Sequence, residues 1–326
     1  MKTDAVTAHS PPADLVWHYT DAPGLLAILG SHTLWATSSA FLNDRQEVRL
    51  GGEVVFRQVR ELAGSLDGPW SELLTQRTAR AREDGDLPSS SYYFILSASQ
   101  SGDSLAMWRL YGGTQESYAI GLDPAAPLGI LSTTGVTASP HREGSDVTVT
   151  DRGELLRRVP WKPVRYQPAA QETLVKEVVD QLPDQLDSLR DLSADGDRPG
   201  SLPEPIGDIL NKLTEAMLLI KHEGFTDERE TRLSLVVRQL PSAAAESDVV
   251  RYRATAYGIA PYVAVTGVSS EDNVVVSTAH HLPIRAVAIS PSPNGQEAET
   301  SVRHLLASRG YPDVTVSRSA IPFRAG

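Results

Sequence analysis

Residues 92–97, Tyr-Tyr-Phe-Ile-Leu-Ser, constrain this chain more than any other stretch. A near-continuous apolar run of strand length, with no helical spacing, is what a strand buried on both faces needs. It predicts a central strand, and the rest of the chain must pack around a sheet. Further strands are expected at 15–19, 34–37, 117–122, 231–237, 250–257, 262–266, 285–289 and 314–317. Between them lie helical patterns. Asp21 caps one over 22–29, with Pro23 in its first turn and Gly30 at its end. Asn43 or Asp44 opens a second, to about residue 62, weakened by Gly51-Gly52. Others cover 69–82, 104–111 and 296–309. Residues 168–192 and 203–221 form a helical pair around a loop at 193–202 rich in Asp, Gly, Pro and Ser. The class is α+β, a mixed sheet with peripheral helices. We expect a disordered leader over 1–14 and a single domain over 15–324, with 168–221 as a helical insertion.

With no cysteine, the chain can form neither disulfides nor thiolate metal sites, and it has no Cys nucleophile. No apolar run reaches the roughly 18 residues that span a bilayer, so a cytoplasmic protein without a membrane partner is expected. Net charge is −11, which repels nucleic-acid phosphates and disfavours such partners. The local exception is 157–166, where Arg157, Arg158, Lys162 and Arg165 accompany Trp161 and Tyr166. A solvated strand edge explains it, and a nucleic-acid contact is the alternative.

Three separated blocks carry the residues suited to chemistry. His18 sits in the first strand beside Tyr19 and Thr20, just before a helix start whose free N–H groups suit an anion such as a pyrophosphate. A satisfied structural histidine fits the same position. Ser97 and Ser99 end the central strand on one face, where small hydroxyl residues allow close approach of a ligand; a strand-to-turn transition uses them equally. Glu228 and Glu230 share a face if strand geometry reaches back to 228; otherwise they are a solvated charge run. Asn43 and Glu47 lie one helical turn apart, as ligand contacts or as a cap and first turn. Trp108 and Tyr111, three apart, are core packing or a ring-stacking platform. A metal site is not expected, because the adjacent His280-His281 would face opposite ways in a strand. Gly102-Asp103-Ser104-Leu105 spells an esterase tetrapeptide, but mid-chain and without the Asp-x-x-His spacing that should follow.

Together these blocks resemble a bacterial domain-of-unknown-function family, number twenty-nine seventy-one. The resemblance rests on His18-Tyr19-Thr20, Leu42-Asn43-Asp44 with Glu47, Ser97 to Ser99, the segment 103–108 with Tyr111, the segment 221–225, Glu228-Arg229-Glu230 and Arg232. It continues through Tyr252-Arg253, Pro261-Tyr262, Leu282-Pro283-Ile284, Gly310-Tyr311 and Ser319. That family looks related to ADP-ribosyltransferase-like folds, which implies a mixed split sheet and NAD as substrate. The resemblance implies that His18 bonds a ribose hydroxyl, Ser97 and Ser99 support the nicotinamide pocket, and Glu230 or Glu228 engages the nicotinamide ribose. Tyr19, Thr20, Asn43, Trp108 and Tyr111 join the implied cofactor-binding set, with Tyr19 or Tyr93 as stacking ring. Ser97-Ala98-Ser99 departs from the Ser-Thr-Ser of that wider group.

The expected function is therefore ADP-ribosyl transfer from NAD to an unknown acceptor, a protein, nucleic acid or small molecule. Catalysis would fall to Glu230, Glu228 and His18. The alternative is a catalytically silent module that binds NAD or ADP-ribose in a defence or regulatory system.

Overall fold

The computed structural model describes residues 14–41, 45–65, 91–111, 116–138, 147–182, 204–239, 246–256, 258–269 and 274–322. The expected helix over 69–82, the loop 193–202, Asn43 and nearly all of the leader lie outside them. Along the chain run β1 (Val16–Asp21), α1 (Ala22–Ser31), β2 (Thr33–Ser38), α2 (Arg45–Ser65), β3 (Ser91–Ser99), α3 (Leu105–Tyr111), β4 (Ser117–Leu122) and β5 (Gly129–Leu131). There follow β6 (Val147–Val149), β7 (Glu154–Pro163), α4 (Pro168–Val179), α5 (Glu204–Leu218), β8 (Glu230–Gln239), β9 (Val250–Thr255) and β10 (Gly258–Thr266). The chain closes with β11 (Val275–Val276), β12 (Ile284–Ile289), α6 (Gly295–Ser308) and β13 (Thr315–Arg318). β5 and β11 have no counterpart in the sequence reading; three and two residues are too few to show a period.

The chain divides into two compact units, Met1–Ser39 with Tyr92–Lys162 and Asp227–Gly326, and Ala40–Ser91 with Pro163–Thr226. The first holds a large mixed sheet in the order β11-β5-β10-β2-β3-β1-β4-β12-β13, with β8 on β3, β7 between β6 and β8, and β9 on β10. β12 runs parallel to β13 and β11 parallel to β5, while the β1–β4 and β2–β10 pairs are antiparallel. Strand alternation builds the main core. Phe94, Leu96 and Ala98 of β3 and Leu233, Leu235 and Val237 of β8 face it together with Leu34, Ile120, Val263 and Val287. Trp17, Tyr19, Met107, Trp108, Ala119, Ala286 and Ala288 form a separate, smaller cluster.

β3 is central, as its composition predicts, because it pairs with β1, β2 and β8. The pairing is uneven. β1 meets β3 at Trp17↔Ser99, and β2 meets it at Thr37↔Ile95 and Ser38↔Phe94. Residues 96–98 of β3 pair with neither, so β1 and β2 part from each other along this stretch.

The second unit packs α2, α4 and α5 around Val55, Val59, Val175, Val179, Leu213 and Met217. α2 thus belongs with the helices expected as an insertion. The glycines that weaken its propensity have a packing reason: a Cβ on Gly51 would lie 2.3 Å from the Met217 carbonyl oxygen. Gln171 is buried and its amide donates to the carbonyls of Arg165, Tyr166 and Lys221, tying α4 to its own unit.

The basic segment 157–166 is not a solvated edge. β7 pairs on both sides, Trp161 packs on the main core, and Arg158 donates to the Leu128 carbonyl. Burial lowers the Arg158 pKa. An alternation of charged and apolar residues marks a half-buried strand as readily as an edge.

Candidate functional site

All three candidate blocks come to the C-terminal end of β3. His18 Nδ1 lies 3.1 Å from the Ser97 carbonyl oxygen. Ser99 Oγ donates to the Glu228 carbonyl at 2.8 Å, and Gln100 N donates to the Arg229 carbonyl at 2.9 Å. In an unbroken ladder the Ser97 carbonyl would take a backbone N–H. Here an imidazole takes that place, where β1 and β2 diverge.

This bond fixes the histidine. A carbonyl oxygen only accepts, so Nδ1 carries the proton and Nε2 of the neutral ring is an acceptor. Burial lowers the His18 pKa, against a smaller opposing effect of the Ser97 carbonyl, so the neutral form prevails at pH 7. The side chains do not all share a face. Trp17 lies opposite Ser99, so Ser97 and Ser99 project with Trp17, while His18 projects with Val16. The structure thus joins His18 to the Ser97 main chain and not to either serine hydroxyl.

The Glu228-Arg229-Glu230 block forms a corner. Glu228 ends a 3₁₀ turn (Glu223–Glu228), Arg229 takes a left-handed backbone with φ 44°, and Glu230 opens β8. That conformation costs a non-glycine residue about 1 kcal/mol or more, and it is held by the bonds from Ser99 and Gln100 to the flanking carbonyls. Both carboxylates are buried, so a solvated charge run is the wrong description. Glu230 is clasped by Arg232, Nε to Oε1 at 2.7 Å and Nη2 to Oε2 at 2.8 Å. The two lie two apart on one face of β8, and both are buried. Sequence reasoning gave Arg232 no role; the signal was an opposite charge at strand spacing from Glu230.

The remaining candidates divide. Tyr19 and Trp108 are buried edge-on to each other, ring centroids 4.6 Å apart. The Tyr19 hydroxyl donates to the Ser101 carbonyl and accepts from Ser104 N, and burial raises its pKa. Trp108 Nε1 donates to Asp103 Oδ1, and Asp103 also accepts from Ser319 Oγ and Ala320 N. These rings pack a core. Tyr111 ends α3 with an exposed ring. Gly102 of the esterase-like tetrapeptide is a close-packing position, since a Cβ there would sit 2.6 Å from the Trp17 indole. Thr20 is half-buried beside Gly24, where a Cβ would strike its Oγ1. The helix start offered to a pyrophosphate is capped from within, Asp21 Oδ1 accepting from Gly24 N at 2.8 Å. Tyr93 is buried in β3. Glu47 lies in α2 with its side chain outside the description, and Asn43 is outside altogether.

Among the described residues no group of three or more His, Asp or Glu could hold a metal ion. No helix among them is long and apolar enough to cross a membrane. A family described as "Protein of unknown function (DUF2971)" matches residues 107–233. The chain is similar to that family over this stretch, which holds Trp108, Tyr111, Glu228, Glu230 and Arg232 but not His18, Ser97 or Ser99. No curated protein and no solved structure matches the chain.

Proposed function

We propose that the chain is an ADP-ribosyltransferase-like enzyme of the cytoplasm that binds NAD at the end of β3, expels nicotinamide and transfers ADP-ribose. The observation that carries the reading is the meeting of His18, the Ser97–Ser99 segment and the Glu228–Glu230 corner where β1 and β2 diverge. Held by Ser97, the His18 ring has Nε2 left to accept from a ribose hydroxyl. Nicotinamide leaves as a neutral molecule, so the reaction needs a carboxylate to stabilise an oxocarbenium-like transition state more than it needs a strong acid. Glu228 and Glu230 are the candidates. Arg232 holds both Glu230 oxygens, so Glu230 also orders the corner.

That same pairing favours a second reading. With both Glu230 oxygens already taken, a silent nucleotide-binding module is the alternative. Free nicotinamide is the deciding readout. The purified protein is incubated with NAD beside Glu228→Gln and Glu230→Gln variants, with circular dichroism to verify folding. Release that falls at least a hundredfold in folded Glu228→Gln supports the transferase. NAD binding without any release supports the silent module.

A further inference from the structure

One face of the sheet carries an aromatic pair and two arginines that neither reading uses. The register places them together. Trp35 lies opposite Ala264, Thr37 and Arg251 lie opposite Tyr262, and Arg253 lies opposite Ala260. Directly opposed residues in antiparallel strands share a face, so Trp35, Thr37, Tyr262, Arg251 and Arg253 project to one side across β2, β10 and β9. Val263, between them, projects into the core on the other side. Although β2 is an interior strand, Trp35 is 45% exposed. Its ring is 4.7 Å from that of Tyr262, and the Arg253 guanidinium stands 5.3 Å over it. The small Ala260 lets Arg253 cross β10 and donate through Nη2 to Thr37 Oγ1.

Among the described residues neither arginine has an acidic partner, although the chain as a whole carries a charge of −11. Each gives the protein hydrogen bonds through Nη2, Arg251 to the Leu131 and Ser132 carbonyls and Arg253 to Thr37. The Nε–H of each is buried with no acceptor. Two positions apart on one strand, their Cα atoms stand about 7 Å from each other. Two guanidinium groups on one sheet face can give an anion charge-assisted hydrogen bonds.

We infer that the Trp35–Tyr262–Arg251–Arg253 face binds a nucleotide unit, with its base stacked on Trp35 and its phosphate held by Arg251 and Arg253. An aromatic ring on an open sheet face beside cations is the chemistry that holds a base and its phosphate together. The site uses none of His18, Ser97, Ser99, Glu228 or Glu230 themselves, although Thr37 lies opposite Ile95, so this is the sheet face to which Ser97 and Ser99 project. A free nucleotide and a residue of single-stranded nucleic acid present the same group.

The test titrates the full chain with 5′-AMP, adenosine, inorganic phosphate and a short oligodeoxyadenylate, in the wild type, Trp35→Ala, Arg251→Gln and Arg253→Gln. The expected result is 5′-AMP binding at least tenfold tighter than adenosine or phosphate, weakened at least tenfold by each substitution and weakening as salt rises. Oligonucleotide binding much tighter than 5′-AMP assigns the site to single-stranded nucleic acid; equal or weaker binding assigns it to a free nucleotide. Absence of 5′-AMP and oligonucleotide binding, or binding that all three variants leave unchanged, overturns the inference. Trp35 is exposed, so its substitution should leave the fold intact, and a matching thermal melt verifies this. A chain that binds 5′-AMP at Trp35 yet neither binds nor cleaves NAD refutes the NAD reading alone. Glu228-dependent nicotinamide release without 5′-AMP binding refutes this inference alone.

Discussion

Glu230 and Arg232 show how a residue pair changes the meaning of a motif. Read along the chain, Glu228-Arg229-Glu230 offers two carboxylates for chemistry. In the fold, Glu230 and Arg232 form a bidentate ion pair inside the protein. Removing one partner of a buried pair leaves the other charge uncompensated. Glu230→Gln should therefore destabilise the chain by about 3 kcal/mol, read from urea unfolding. Its lost activity must then be judged against lost stability. Ser99 has a similarly hidden role. Its buried Oγ donates to the Glu228 carbonyl and accepts from Ser101 N, so Ser99→Ala should cost about 1–2 kcal/mol. Ser99→Thr, which retains the hydroxyl, should lose less if the added methyl fits; chemical denaturation of both variants is the check.

At the level of elements, periodicity showed what packing would later use. The apolar run at 92–97 gave a central strand because burial on both faces leaves a continuous signature, and 117–122 matched β4 residue for residue. The fork between β1 and β2 was not legible, because register depends on partners distant in sequence. Nor was the face of His18 relative to Ser97 and Ser99, for the same reason. Gly51-Gly52 reads as helix weakness from propensity alone, yet Gly51 is where α2 approaches Met217 of α5. Gly51→Ala should accordingly destabilise by about 1–3 kcal/mol through overpacking, in spite of the better helix former. Gly30, in α1, has nothing within 4 Å of a Cβ, and Gly30→Ala should stabilise by about 0.5–1 kcal/mol. Thermal melts of the two variants should move in opposite directions.

Across the whole molecule, the sequence reading named the class, and the structure supplied the division. An α+β chain with one large mixed sheet was legible from strand and helix patterns. The grouping of α2 with α4 and α5 was not, since Tyr92–Lys162, part of the sheet unit, lies between them in the chain. Stability of the whole should also follow pH through His18 and His32. Burial lowers the pKa of His18 below its ordinary 6.5, and burial, with a smaller coulombic effect of His281 and Arg309, lowers that of His32. The unfolded chain therefore binds more protons between the folded values and 6.5, so stability is complete above 6.5 and falls as the pH drops through that window. Urea midpoints should decline on acidification below about pH 6.5, and His18→Gln should flatten part of the slope.

Both the transferase and the silent module require that NAD bind where His18 meets Ser97. A calorimetric titration of NAD into the wild type and into folded His18→Ala tests that shared claim most directly. The account predicts saturable one-site binding, weakened at least tenfold by the substitution. Saturable binding that His18→Ala leaves unchanged, or no binding at millimolar NAD, would contradict it.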